Sequence, residues 1–134
     1  MIIDSLQGLP AFALYFVVGY GFIVLFCVLY GKVTPYCEWT LMRNNNAAAS
    51  IAFGLSLVGY TIPVASAAIH SVSIIDYIIW AVVALLAQIV TFMTVRWYMT
   101  DLVKRINDDQ IAAGLFLGCA ALATGILNAA CMSY

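Results

Sequence analysis

The chain's one histidine, His70, stands six residues before Asp76 in the stretch HSVSIID. A histidine beside a carboxylate can serve as a general base if a nucleophile or a metal completes the set. Nothing in this sequence completes it. There is no HExxH, no P-loop, no paired carboxylate and no Ser/His/Asp set. A solvated loop histidine is the plainer reading. The cysteines Cys27, Cys37, Cys119 and Cys131 include no CxxC pair and have no histidine nearby in sequence. They read as small apolar residues. Only Cys131 is placed to meet an oxidising compartment, and it has no obvious partner in the chain. No catalytic residue, cofactor or metal site is expected, and the chain reads as a non-enzyme.

The more informative polar residues lie inside apolar runs. Gln88 falls on a stripe with Ala81, Ala84 and Thr91. An amide turned toward lipid is costly, so Gln88 is expected to face protein or a cavity. A hydrogen bond to a neighbouring helix is the plainer use, and a polar path through the membrane is the alternative. Asn128 near the outer end of its run invites the same two readings, and Ser66 would belong to the same path. Pro63 breaks a helix ladder about a turn before its end and frees a carbonyl.

These residues need a lipid-embedded frame. The chain is 66% hydrophobic and 8% charged, with a mean hydropathy of +1.06. A soluble domain this small could not hide that surface. The net charge of −1 excludes a nucleic-acid partner, which needs a basic face. Four runs, over about residues 9–31, 47–69, 77–95 and 111–131, are long enough to cross a bilayer. They lack the alternation of barrel strands and must satisfy their own backbone, so they are expected to be helices. The start, MIIDSLQGLP, has Asp4 and no basic residue, which favours a retained helix over a signal peptide. Lys32, Arg43, Arg96, Lys104 and Arg105 all fall at one end of the helices. The positive-inside rule makes that end cytoplasmic and both termini external.

Two stretches, RNNNAAASI and NDDQIAAGL, lie 64 positions apart. At that offset Ala48 falls on Ala112, Ala49 on Ala113, Ser50 on Gly114, Gly54 on Gly118 and Lys32 on Arg96. The expected fold is an all-α integral membrane domain over 1–134. It comprises four transmembrane helices as two tandem parallel hairpins, about 9–70 and 76–134, related by a pseudo-two-fold along the membrane normal. Asn44–Asn46 and Asn107–Asp109 are expected to cap the returning helices. Alternatively the helix ends and amides form a cytoplasmic polar site. A short interfacial helix is expected over 34–43, with Thr34 as cap, Pro35 at its first position and Trp39 at headgroup depth. TDLVKRI looks similar. Ser50 with Gly54, Gly114 with Gly118, and Gly125 are the expected close-packing positions. A stripe of Ala52, Ser56, Gly59, Pro63 and Ser66 marks another face of the second run. With so few helices, a homo-oligomer in the bilayer is expected, a dimer being the simplest closed form.

KVTPYCEWTLMRNNNAAASIAFG, GYTIPVASAAIHSVSIIDY and AALATGILNAACMSY closely resemble the YjfL-like family of small bacterial inner-membrane proteins. The resemblance runs over nearly the whole chain. It implies four helices, a plasma-membrane location and no established biochemical activity. It places the family's characteristic positions at Asn45, Asn46, Pro63, Ser66, Asp76, Gln88, Asn128 and Cys131. Family members often neighbour genes for phage-shock-like coiled-coil proteins and ATP-grasp enzymes, which hints at envelope upkeep. The expected role is a membrane scaffold or accessory component that docks a cytoplasmic protein through its inner loops. The alternative is a subunit of a small oligomeric channel or transporter, with Gln88, Ser66 and Asn128 along a polar path.

Overall fold

The computed structural model describes residues 2–33, 40 and 43–132. The helices are α1 (Ile2–Gln7), α2 (Leu9–Val33), α3 (Ala47–His70), α4 (Ile74–Tyr98), α5 (Leu102–Asn107) and α6 (Ile111–Cys131). The stretches Ile2–Lys32, Ala47–His70, Ile74–Tyr98 and Ile111–Cys131 are long and apolar enough to cross a membrane. They coincide with the four expected runs but extend beyond some of their ends. Ser73 explains one extension: its hydroxyl accepts from Asp76 N at 3.2 Å, and the Asp76 carboxylate accepts from Val72 N at 3.2 Å. This reciprocal cap lets α4 begin in polar surroundings that hydropathy does not count. The expected helix over 34–43 lies outside the described residues, apart from Thr40 and Arg43. TDLVKRI does form a short helix, α5, which buries Leu102 and Ile106 completely.

The returning helices α3 and α6 meet backbone to backbone. A Cβ on Gly59 would stand 2.5 Å from Ala121 O, and one on Gly118 would stand 2.7 Å from Leu55 Cβ. At Gly114 it would collide with the Ala48 carbonyl, and at Gly125 with the Gly59 carbonyl. Small residues permit this approach, and dispersion over the contact holds it where lipid removes the hydrophobic drive. Pro63 contributes here. Its ring nitrogen cannot donate to Gly59 O, four residues back, and the Gly125 backbone lies against that same oxygen.

Ser50 and Gly54 do not take part in this contact. Ser50 is exposed, and nothing lies within 4 Å of a Cβ placed on Gly54. The reason is rotational: α6 lies against the side of α3 that carries Ala48, Ile51, Leu55 and Gly59. On α6 the contact positions are Gly114, Gly118, Ala121 and Gly125. Shifted by 64, these would be Ser50, Gly54, Leu57 and Thr61, on another side of α3. A two-fold would pair like faces; these faces are unlike, so the parallel helices α3 and α6 meet in a heterologous contact, the face of one on a different face of the other.

The turns before α3 and α6 share one backbone conformation at that offset. Asn45 has φ 60° and Asp109 φ 57°. Asn46 has φ −75°, ψ 103° and Gln110 φ −82°, ψ 101°. Asn and Asp tolerate the left-handed region better than other residues with a Cβ. The caps are nevertheless crossed rather than local. Asn46 Oδ1 accepts from Ala49 N at 2.8 Å while its Nδ2 donates to Ile106 O at 2.9 Å. Asp109 accepts from Ala48 N at 2.9 Å, on the other returning helix. Asp109 therefore does not cap α6, whose N-cap Gln110 makes no side-chain cap bond. The close approach of the helices puts the first amides of α3 nearer to its carboxylate.

Helix α2 leans on α3 and α4 through rings. Phe26 stacks on Tyr60 at 4.9 Å, Tyr30 meets Phe53 and Phe92 edge-on at 5.3 and 6.0 Å, and Tyr15 stacks on Tyr77 at 5.3 Å. Each such pair contributes about 0.5–1.5 kcal/mol beyond its buried area. Asp109→Ala is expected to lower stability by about 1 kcal/mol, the usual worth of a cap. Asn46→Ala should cost more, because it breaks a buried cap and an interhelical bond together. Detergent-to-SDS unfolding of the purified variants measures both; wild-type midpoints would show that the crossed caps carry no stability.

Candidate functional site

Gln88 is buried at 4% exposure, midway along α4, and its Nε2 donates to Ala121 O on α6 at 3.0 Å. Two further polar contacts and a buried serine lie along the same helix packing. The Tyr60 hydroxyl donates to Ala81 O at 3.1 Å, Thr91 Oγ1 lies 2.9 Å from Thr124 Oγ1, and Ser56 is buried. The stripe Ala81, Ala84, Gln88 faces protein because the two alanines let α3 and α6 come near enough for the amide to reach. A cavity of about 20 Å³ lies beside Gln88 and Ser56, lined by Phe26, Tyr30, Leu85 and Leu117. That space suits one water molecule.

The end where α3 and α6 finish holds the other candidates, apart from one another in their bonding. Ser66 donates to Ala129 O at 3.2 Å, tying α3 to α6 a second time. His70 Nδ1 sits 2.9 Å from Ser66 O, one turn back on its own helix. Asp76 takes Val72 N and, at 3.1 Å, Trp80 Nε1. His70 and Asp76 thus have separate local partners, and Asp76 organises the start of α4. Asn128 Nδ2 is enclosed without a hydrogen-bond partner. Cys131 is exposed at the last position of α6, and Cys27 and Cys119 are also free thiols. Among the described residues no group of His, Cys, Asp or Glu could hold a metal ion.

The opposite end gathers Asn46 and Asp109 into the crossed-cap junction, with Arg105 Nε donating to Gln110 Oε1 at 2.8 Å and Asn45 exposed at the turn. The structure therefore places Asn46 in the crossed-cap junction and bonds Ser66 to Ala129 O, one residue beyond Asn128, and neither contact includes Gln88. Reading the sequence missed Tyr60 and Thr124. Both are ordinary residues of an apolar run, and only the facing helix reveals their bonds. It also missed the reach of Asp109 to α3, for which the matching offset of Asn45 was the one available signal.

The span pattern and buried polar layer define an all-helical, multi-pass membrane protein. The chain belongs to the family described as Domain of Unknown Function (DUF350), which it matches over residues 4–132. It is 50% identical over 129 residues to UPF0719 inner membrane protein YjfL of Escherichia coli (strain K12), covering 96% of this chain and 98% of that protein. The protein of the same description from Escherichia coli O157:H7 matches to the same extent. No solved structure matches. With the four spans, these relatives place the chain in the bacterial inner membrane.

Gln88→Leu removes one interhelical bond and adds apolar packing. Such bonds average about 0.6 kcal/mol, so the variant is expected to insert and unfold nearly as wild type. Gln88→Glu should be worse, because an ionised carboxylate would face the Ala121 carbonyl without a proton to share. SDS unfolding of both variants tests this; equal tolerance of Leu and Glu would mean that the site is wet.

Proposed function

We propose that this protein is a non-catalytic inner-membrane component whose cytoplasmic turns dock a soluble protein acting in envelope stress or maintenance. In this reading two tandem parallel hairpins build the domain, both termini face outward, and copies assemble as a homo-oligomer. The observation that supports it is the sorting of polar groups along the membrane normal. Inside the spans Gln88, Tyr60, Thr91 and Ser66 are engaged by neighbouring helices. At the turn end Arg43, Asn45, Asp101, Lys104 and Asp108 are exposed, beside a junction tied by Asn46 and Asp109. A charged rim on a fixed frame suits recognition of a protein surface, where such groups steer encounter and fix register. A channel or transporter subunit would need Gln88, Ser66 and Asn128 along one wet path, and the bonds of Gln88 and Ser66 to the α6 backbone speak against that use.

The test sets the two uses side by side. Photo-crosslinkers at Lys104 and Asp108 are expected to capture the same soluble protein, and one at Ser73 to capture none. An impermeant maleimide should reach Lys104→Cys only after the cells are opened. Labelling from outside would reverse the topology. Ion or solute flux in liposomes that disappears in Gln88→Leu would replace docking with transport.

A further inference from the structure

The face that one half buries is the face that its counterpart leaves open. Helix α2 turns Gly19 and Phe26 inward, yet Val83 and Val90, their counterparts 64 residues on, are exposed on α4. Helix α4 buries Ala84 and Gln88, yet Tyr20 and Val24 on α2 are 62% and 48% exposed. Within the chain only 11% of the first span is buried, against 50% of the second. The returning helices behave alike. Gly118 receives Leu55, while Gly54 has open space and Cys119, the counterpart of Leu55, is exposed.

The turns repeat the asymmetry. Asp109 caps α3 through Ala48 N. Its counterpart Asn45 has the same left-handed backbone and is exposed, while α6, whose Ala112 corresponds to Ala48, receives no side-chain cap at its N-cap position. Between α2 and α3 lies an open apolar groove of about 420 Å³, lined by Phe16, Tyr20, Thr61 and Ala65 among others. Thr61 and Ala65 correspond to Gly125 and Ala129, which α3 covers with Gly59 and with the hydroxyl of Ser66.

A heterologous contact leaves one unused face of each kind, and copies joined through them close into a ring or extend as a filament. We propose that the groove between α2 and α3 receives α6 of a second copy, in the geometry by which α6 of one chain receives its own α3. The partner's Cys119 then sits on Gly54, its Ala123 on Thr61, and Asn45 caps the amide of the partner's Ala112. The inference rests on the tandem repeat proposed above. A second copy is the occupant because the chain already presents both halves of this contact, and both remain uncovered.

The experiment uses full-length protein in native membranes, with Cys27, Cys37 and Cys131 replaced by Ala. Gly54→Cys is introduced beside the native Cys119 and oxidised with copper phenanthroline. The counterpart pair Leu55–Gly118 has Cβ positions 2.7 Å apart, close enough for a disulfide after a small relaxation. A disulfide-linked dimer is expected on a non-reducing gel, lost with reductant and lost in Cys119→Ala. A dimer that survives Cys119→Ala would mean like-with-like contact and overturn the proposal. So would the absence of any dimer. Leu55→Cys with Gly118→Cys in a Cys119→Ala chain is the control and should form an in-chain bond. If the control bond forms and the dimer does not, the docking mode fails while the internal packing stands. If neither forms, the repeat packing fails as well.

Discussion

The approach of α3 to α6 sets everything else in this protein. Where Gly114 and Gly125 meet α3, a methyl group would strike the Ala48 or Gly59 carbonyl, so side chains do not separate the two backbones there. In lipid the gain from such an approach is dispersion and weak Cα–H bonding, both steep in distance. Helix α4 then has a fixed surface to lie on. Its small residues Ala81 and Ala84 bring Gln88 within reach of Ala121 O, and Tyr60 within reach of Ala81 O. Helix α2 is held by rings rather than by backbone approach, which is consistent with how little of it the chain buries.

The crossed caps hold the same contact in register. Asn46 and Asp109 each answer a donor or acceptor on the other half of the chain. Sliding α3 along α6 by one turn would strand both. The polar residues of the interior thus serve mainly to fix helices, and the chemistry available to a partner lies at the turns. That division is the observation behind the docking role proposed above.

Much of this was legible before any coordinates. Lipid selects helices, so run length alone located the spans, and Gln88 had to face protein or a cavity because an amide in hydrocarbon is costly. The glycines of α6 were recognisable as contact points. Which side of α3 they would meet was not, because Ser50 and Gly54 make an equally good small-residue pair, and rotation about the axis leaves no trace in composition. The Asn45–Asp109 offset hinted at paired turns, yet the crossing of their caps depends on an interhelical distance that no local pattern encodes. Tyr60 and Phe26 were hidden for the opposite reason: in an apolar run an aromatic ring is unremarkable until its partner is known.

The central claim is that steric closeness at the α3–α6 backbone, rather than general hydrophobicity, holds the fold. Equilibrium unfolding in mixed micelles of Gly114→Ala, set against Gly21→Ala, tests it most directly. Gly21 has nothing within 4 Å of a Cβ, and alanine there should be neutral or slightly stabilising, as helix propensity favours it by up to about 1 kcal/mol. Alanine at Gly114 must push the Ala48 carbonyl away, and overpacking of this kind costs about 1–3 kcal/mol. A Gly114→Ala protein as stable as Gly21→Ala would contradict the account.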